Sequence, residues 1–284
     1  PNSAPLCEIT APGTGSAGAQ GDLMTFEGTA TDVDVASDWL SVVWSSDKDG
    51  EIGTSTPNSD GSVGFAYSDL SVDTHNITMT VTDEVGATCT NSIFFTVGTP
   101  PSVLIDLPLN GETYDEGETL TFSATVSDSQ DQPNDISLNW DLDGTSFSTQ
   151  GATSTGVAQF TDNSLSYGTH TLTVTATDTD GLTADDISTF TINGLPSEPT
   201  VTITPDPAYT NNDLTASATG SVDPEGNTIT YTYDWHLNGS SSGNTGFTLS
   251  AALTNKGEVW TVYATPSDGT SDGAVGSASI TISN

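Results

Sequence analysis

His170-Thr171-Leu172-Thr173-Val174-Thr175-Ala176-Thr177-Asp178 alternates an apolar set with a run of threonines. Successive side chains of a strand point to opposite faces, so this period of two turns His170, Leu172, Val174 and Ala176 inward and the threonines outward. Threonine is β-branched and suits a half-exposed pleat. The pattern also stands upstream, where His75, Ile77, Met79 and Val81 alternate with Asn76, Thr78, Thr80 and Thr82. It returns downstream as Trp260, Val262 and Ala264. Each run reaches an aspartate eight positions after its first inward residue, at Asp83, Asp178 and Asp268.

A second landmark keeps the same spacing. Trp44, Trp140 and Trp235 sit on strand-like runs, 96 and 95 positions apart. A period of one small domain means an array, and arrays serve reach, display or assembly. The modules read as 1–98, 99–194 and 195–284. The joints, Gly98-Thr99-Pro100-Pro101-Ser102 and Gly194-Leu195-Pro196-Ser197-Glu198-Pro199, are short and proline-bearing, hence stiff. Each module shows a first strand (Leu6–Ile9, Val103–Asp106, Val201–Thr204) and a second (Leu23–Ala30, Leu120–Ser127, Leu214–Ala218). The tryptophan strand is third. A closing hairpin follows: His75–Thr82 with Ser92–Val97, His170–Thr177 with Ser188–Asn193, and Trp260–Thr265 with Ser277–Ser283. No helix is expected. The reading is all-β: three tandem antiparallel β-sandwich domains in an elongated rod.

Composition narrows the partners. Of 284 residues, Lys and Arg number 2 and Asp and Glu 38, for a formal charge of −36. Nucleic acid is excluded as an expectation, since phosphate contacts need Lys and Arg to displace counterions. The same holds for anionic lipid. No apolar run reaches 18 residues, so no membrane span is read. The chain begins at Pro1 without a signal peptide, as a mature form or a piece of something longer. Such a charge implies salt or bound cations to screen it.

A tryptophan strand, a strand ending in Thr-Asp-x-x-Gly and a final Thr/Ile/Val strand resemble the polycystic-kidney-disease (PKD) type of Ig-like module. Thr82-Asp83-Glu84-Val85-Gly86 and Thr177-Asp178-Thr179-Asp180-Gly181 carry the resemblance. Module 3 has Ser267-Asp268-Gly269 and is more similar to cadherin-like repeats of bacteria and archaea. Family examples often follow the Trp with a Gly-Asp-Gly turn; this chain has Trp44-Ser45-Ser46-Asp47 and Trp140-Asp141-Leu142-Asp143-Gly144 instead. The resemblance implies an extracellular or cell-surface setting and work as spacer, adhesin, binding accessory or structural layer.

Cys7 lies on the first strand of module 1 and Cys89 just before its last. A bridge between them is geometrically plausible, the alternative being two buried thiols; an oxidising compartment favours the bridge. Acidic residues gather at loops. If modules stack, Asp47, Asp49 and Glu51 approach Asp128, Asp178 and Asp180, while Asp141 and Asp143 approach Asp223, Glu225 and Asp268. Such oxygen-rich junctions suit calcium, with six to eight oxygen ligands in flexible geometry. Ordinary turn chemistry also explains them, since Asp caps its own backbone and Gly takes positive φ. His75 and His170 share a position with Trp260, which marks a packing site, and His236 adjoins a core Trp. Gly13-Thr14-Gly15-Ser16-Ala17-Gly18 fits a dinucleotide fingerprint without the helix it needs. Gly239-Ser240-Ser241-Ser242-Gly243 fits a nucleophile elbow inside a low-complexity loop. Neither is read as a site. Sequons at Asn76 and Asn238 are candidate glycosylation sites.

No catalytic residue is named, and an enzyme has little support. The expected function is an extracellular structural protein, either an adhesin stalk or the subunit of a surface filament or layer. Self-association through module ends, or contact with surface glycans or proteins, is the expected mode of partnership. The alternative is a carbohydrate- or protein-binding accessory region of a secreted hydrolase. That reading needs an exposed aromatic platform, for which Trp39, outside the inward pattern, is the candidate.

Overall fold

A computed structural model describes residues 2–283; Pro1 and Asn284, the outermost positions of the first and third modules as read above, lie outside the described residues. The same eight-strand plan is used three times. Module 1 comprises β1 (Leu6–Ala11), β2 (Ser16–Ala19), β3 (Met24–Thr31), β4 (Ser41–Ser46), β5 (Gly50–Ser55), β6 (Ser62–Tyr67), β7 (Asp73–Thr82) and β8 (Thr88–Gly98). Its sheets are ordered β1-β3-β6 and β2-β8-β7-β4-β5.

Module 2 repeats this with β9 (Ser102–Leu107), β10 (Thr113–Asp115), β11 (Leu120–Ser127), β12 (Ser137–Leu142), β13 (Thr145–Ser148), β14 (Val157–Asp162), β15 (Gly168–Thr177) and β16 (Thr183–Asn193). Module 3 has β17 (Thr200–Thr204), β18 (Ala208–Tyr209), β19 (Leu214–Thr219), β20 (Thr230–Leu237), β21 (Ser240–Asn244), β22 (Thr248–Leu249), β23 (Val259–Ser267) and β24 (Gly276–Ser283). Their sheets keep the same order. The only helical segments among the described residues are two 3-10 turns, Ser37–Trp39 and Ala251–Leu253. The chain groups into two compact units, the first Pro1–Asp106, Ser123–Gln159 and Thr173–Ile187, the second Leu107–Phe122, Phe160–Leu172 and Ser188–Asn284.

The alternating strands lie as their periodicity requires. His75, Ile77, Met79 and Val81 are buried on β7, as are Leu172, Val174 and Ala176 on β15 and Trp260, Val262 and Ala264 on β23. Burying each large apolar side chain stabilises the sandwich by roughly 1.5–3 kcal/mol. Trp44, Trp140 and Trp235 are fully buried between the sheets. A buried indole needs a partner for its N–H. Nε1 donates to Ser55 Oγ (2.8 Å), the Gln150 carbonyl (2.8 Å) and the Gly246 carbonyl (2.9 Å), respectively. Trp44 also stacks on Phe65, ring centroids 5.8 Å apart.

One strand in each module carries no legible alternation. Ser16–Ala19, Thr113–Asp115 and Ala208–Tyr209 continue the first strand into the opposite sheet, where they pair parallel with β8, β16 and β24. The sandwiches are therefore antiparallel except at this edge. The rejected dinucleotide fingerprint runs into β2, and the rejected nucleophile elbow into the edge strand β21.

Candidate functional site

The nominated carboxylates first hold their own loops. In the F–G hairpins, joining β7 to β8 and β15 to β16, the aspartate of Thr-Asp-x-x-Gly folds the turn around its side chain. Asp83 Oδ1 accepts the Val85 and Ala87 amides at 3.0 and 2.8 Å, and Asp178 Oδ1 accepts those of Asp180 and Leu182 at 3.0 and 2.7 Å. Gly86 and Gly181 close these turns at φ 90° and 87°, a left-handed conformation that suits glycine. Asp268 Oδ1 accepts the Thr270 and Ser271 amides in module 3.

Asp47 and Asp49 bind back onto their own module. The Asn76 amide donates to Asp47 Oδ1 (2.6 Å), and Ser71 donates to Asp49 through both its amide and its hydroxyl. Lys48 between them pairs with Asp73 at 3.1 Å. Glu51 is exposed on β5 and Asp141 lies on β12. Asp143 and Asn238 occupy the first position of two-residue hairpin turns, at φ 54° and 49°, each followed by a glycine at positive φ. The Asn238 sequon thus sits in a tight turn whose Oδ1 accepts the Val259 amide, and Asn76 sits mid-strand on β7.

One grouping was only half legible. Burial pushes the Asp180 carboxyl upward, and the charges of Asp178, Asp131 and Asp128 push it further. All four belong to module 2, at its upstream end; Asp131 is the member missed as a site residue, and it accepts the Thr179 amide and hydroxyl. The three aspartates that open the B–C loops (β3 to β4, β11 to β12, β19 to β20) share a second property. In Asp32, Asp128 and Asp223 the Oδ1 caps the loop, while the Oδ2 is buried and accepts no hydrogen bond. Among the described residues no set of three or more His, Cys, Asp or Glu side chains is arranged to hold a metal ion.

The module junctions have one recurring geometry. The amide just past the last strand of a module donates to the side chain two residues after the next module's B–C aspartate. Thr99 N reaches Gln130 Oε1 at 2.7 Å, and Gly194 N reaches Glu225 Oε1 at 2.7 Å. Beside each bond a glycine lies against an apolar side chain of the incoming loops. A Cβ on Gly98 would sit 3.0 Å from Leu182 Cδ1, and one on Gly194 would sit 2.7 Å from Pro224 Cγ. Asn193 Nδ2 further donates to Asp268 Oδ2 at 3.0 Å, which ties the end of module 2 to a loop of module 3.

The histidines are packed. His75 Nε2 donates to the Ser71 carbonyl (2.7 Å) and its Nδ1 lies 2.7 Å from Ser46 Oγ; His170 Nε2 donates to the Ser166 carbonyl (2.8 Å). His236 contacts Asp234 at 2.8 Å and the edge of Tyr263. Cys7 and Cys89 form a disulfide that joins β1 of one sheet to β8 of the other, with Cα atoms 5.9 Å apart.

The fold defines the class: an array of three Ig-like β-sandwich modules in tandem. A family model described as a bacterial Ig domain matches residues 101–174. No curated protein matches the chain. Among solved structures, the fibronectin(III)-like modules of Clostridium thermocellum CbhA are 18% identical, with a TM-score of 0.43, over 66% of this chain and 95% of that one. A marsupial T cell receptor is 11% identical, with a TM-score of 0.46, over 97% of this chain and 99% of that one. Disulfides persist in oxidising compartments. With its disulfide and its bacterial Ig domain match, this chain is an extracellular or cell-surface Ig-like array, and among the described residues no helix is long and apolar enough to cross a membrane.

Proposed function

We propose that this chain is a structural segment of a cell-surface protein, serving as an adhesin stalk or as the subunit of a surface filament or layer. The observation that carries the reading is the repeated junction. The same amide-to-side-chain bond occurs twice, at Thr99–Gln130 and Gly194–Glu225, and each joint also seats a glycine closely, Gly98 against Leu182 and Gly194 against Pro224, so successive modules are joined by built contacts rather than loose linkers. Negative-stain electron microscopy of the native material tests it. Fibres, a lattice or thin rods with a constant module repeat support a structural array. A compact enzyme-bound form that binds glycans through the exposed Trp39, and loses that binding in Trp39→Ala, overturns it in favour of a hydrolase accessory region. The finer assignment, PKD-type for modules 1 and 2 and cadherin-like for module 3, rests on the Thr-Asp-x-x-Gly hairpins and their absence from module 3.

Calcium belongs to this reading through one observation, the buried and unbonded Oδ2 of Asp32, Asp128 and Asp223 at the same place in each module. A buried carboxylate oxygen calls for a cation, proton or water partner. Ca²⁺ added to the purified chain is expected to raise the melting temperature, and Asp128→Asn and Asp223→Asn to reduce that rise. An unchanged melting curve removes calcium from the account.

A further inference from the structure

The outward face of the β7–β8 hairpin in module 1 is built in cross-strand rows, and one row differs from its neighbours. Thr74 and Thr96 face each other with their hydroxyl oxygens 3.1 Å apart, and Thr78 and Ser92 do so at 2.8 Å. The row between them is Asn76 opposite Phe94. Side chains directly opposed in this way start about 4.5–5.5 Å apart at Cβ. Phe94 is 58% exposed. Its outer flank is the low Thr14-Gly15 turn. The Phe94 amide donates to Thr14 Oγ1 (3.0 Å), the Gly15 amide donates to the Phe94 carbonyl (2.7 Å), and a Cβ on Gly15 would meet nothing within 4 Å. Asn76 is partly exposed. Asp47 holds its backbone amide, while its side-chain carboxamide has no hydrogen-bond partner among the described residues.

A single exposed aromatic is ordinary on a protein surface. Two facts set this one apart. Asn76-Ile77-Thr78 is an acceptor sequence for N-linked sugar. The asparagine and the phenylalanine also occur together and are replaced together. The equivalent positions are Thr171 and Thr189 in module 2 and Thr261 and Ser279 in module 3, the last pair facing each other with hydroxyls 2.8 Å apart. A bare asparagine gains little from a phenylalanine beside it, but a sugar on that asparagine does. The C–H groups on one face of a pyranose pack on an aromatic ring while the hydroxyls at its rim stay in water.

We propose that Asn76 is N-glycosylated and that its first sugar lies over the ring of Phe94. In the transfer, Asn76 Nδ2 attacks the anomeric carbon of a glycosyl donor carried as a lipid-linked diphosphate. The Nδ2–C1 bond forms, the C1–oxygen bond to the diphosphate breaks, and Nδ2 gives up a proton. Asn76 lies mid-strand, so the transfer takes place on the open chain, before β7 is paired between β4 and β8. In the folded module Asp47 borders Asn76 on one side and Phe94 on the other, which turns the sugar towards the ring. The sugar then bridges β7 and β8 and covers the exposed phenylalanine of the hairpin. The proposal needs the extracellular setting alone and goes beyond the structural-array reading.

Peptide mass spectrometry of the native material tests the modification. Cleavage before Asp73 and Asp83 releases residues 73–82, a useful cut in a chain with so few basic residues. A sugar mass on Asn76 is expected, and Asn76→Gln and Thr78→Val should each abolish it. Hydrogen exchange of the β7 and β8 amides tests the seat, in a cycle of the native chain, Asn76→Gln, Phe94→Thr and the double variant. Phe94→Thr installs the residue that module 2 has there and should leave occupancy unchanged. Loss of the sugar should speed exchange about two- to tenfold when Phe94 is present, the size of an aromatic contact, and leave it unchanged in the Phe94→Thr background. Equal exchange on β23 in all four checks that the variants fold. An unmodified Asn76 in the native material overturns the proposal. A sugar that protects the hairpin equally with and without Phe94 overturns the seat. Neither result touches the structural-array reading, which fails only by the microscopy and glycan-binding outcomes given above.

Discussion

Trp44 fills the space between two sheets and satisfies its own N–H on Ser55. Trp44→Ala removes the ring and leaves a cavity, so module 1 should lose about 3–5 kcal/mol, read by native-state hydrogen exchange of the β4 and β7 amides. Two aspartates respond to acid in opposite senses. Burial works against the ionised Asp268, but bonds from Ser271, Asn193 and Thr270 outweigh it and hold the carboxyl below its ordinary value. Its contribution is present above the usual aspartate range and is lost as pH falls through the lowered value. Asp180 is raised by burial and by Asp178, Asp131 and Asp128, so it costs stability when ionised, and protonation on the way down from neutral pH relieves that cost. Asp180→Asn should therefore stabilise the chain slightly at pH 7, by a few tenths of a kcal/mol for so exposed a charge, and the gain should vanish at a pH below the raised value. Melting curves at several pH values check this. A gain that persists in acid would point to packing rather than charge.

At the scale of elements, the disulfide and the joints have separable effects. Cys7–Cys89 spans 82 positions and links the two sheets of module 1. Modules 2 and 3 fold to the same plan without one. Reduction should cost module 1 about 2–4 kcal/mol, seen as faster hydrogen exchange on β7 and β8, with β23 unchanged. The second joint depends on Gly194, where a side chain would strike Pro224 and Glu225. Gly194→Val should cost about 1–3 kcal/mol as overpacking and free module 3 to move independently, as NMR relaxation would report. The strands that carried this reading, β7, β15 and β23, were legible because one face is buried and the other solvated. β2, β10 and β18 were not: they are short, lie at sheet edges, and are held by backbone pairing that leaves little trace in side-chain pattern.

For the whole molecule, a charge of −36 means that the folded chain repels itself. The melting temperature should therefore rise as salt goes from low to moderate concentration and screens that repulsion, which calorimetry measures. A fall over that range would mean that attractive pairs such as Lys48–Asp73 outweigh the general repulsion.

Repetition and period-two patterning by themselves determined an all-β array of three sandwiches, the inward faces and the buried tryptophans, because burial of alternate side chains depends only on local order along a strand. The sequence also identified which loops are acidic. Only the tertiary structure decided what Asp47, Asp49 and Asp131 do, since their hydrogen-bond partners lie 22 to 48 positions away in the chain. Asp47 and Asp49 turn to Asn76 and Ser71, while Asp180 gathers Asp178, Asp131 and Asp128 around it. The joints at Gln130 and Glu225 appear only when residues 31 positions apart are folded together.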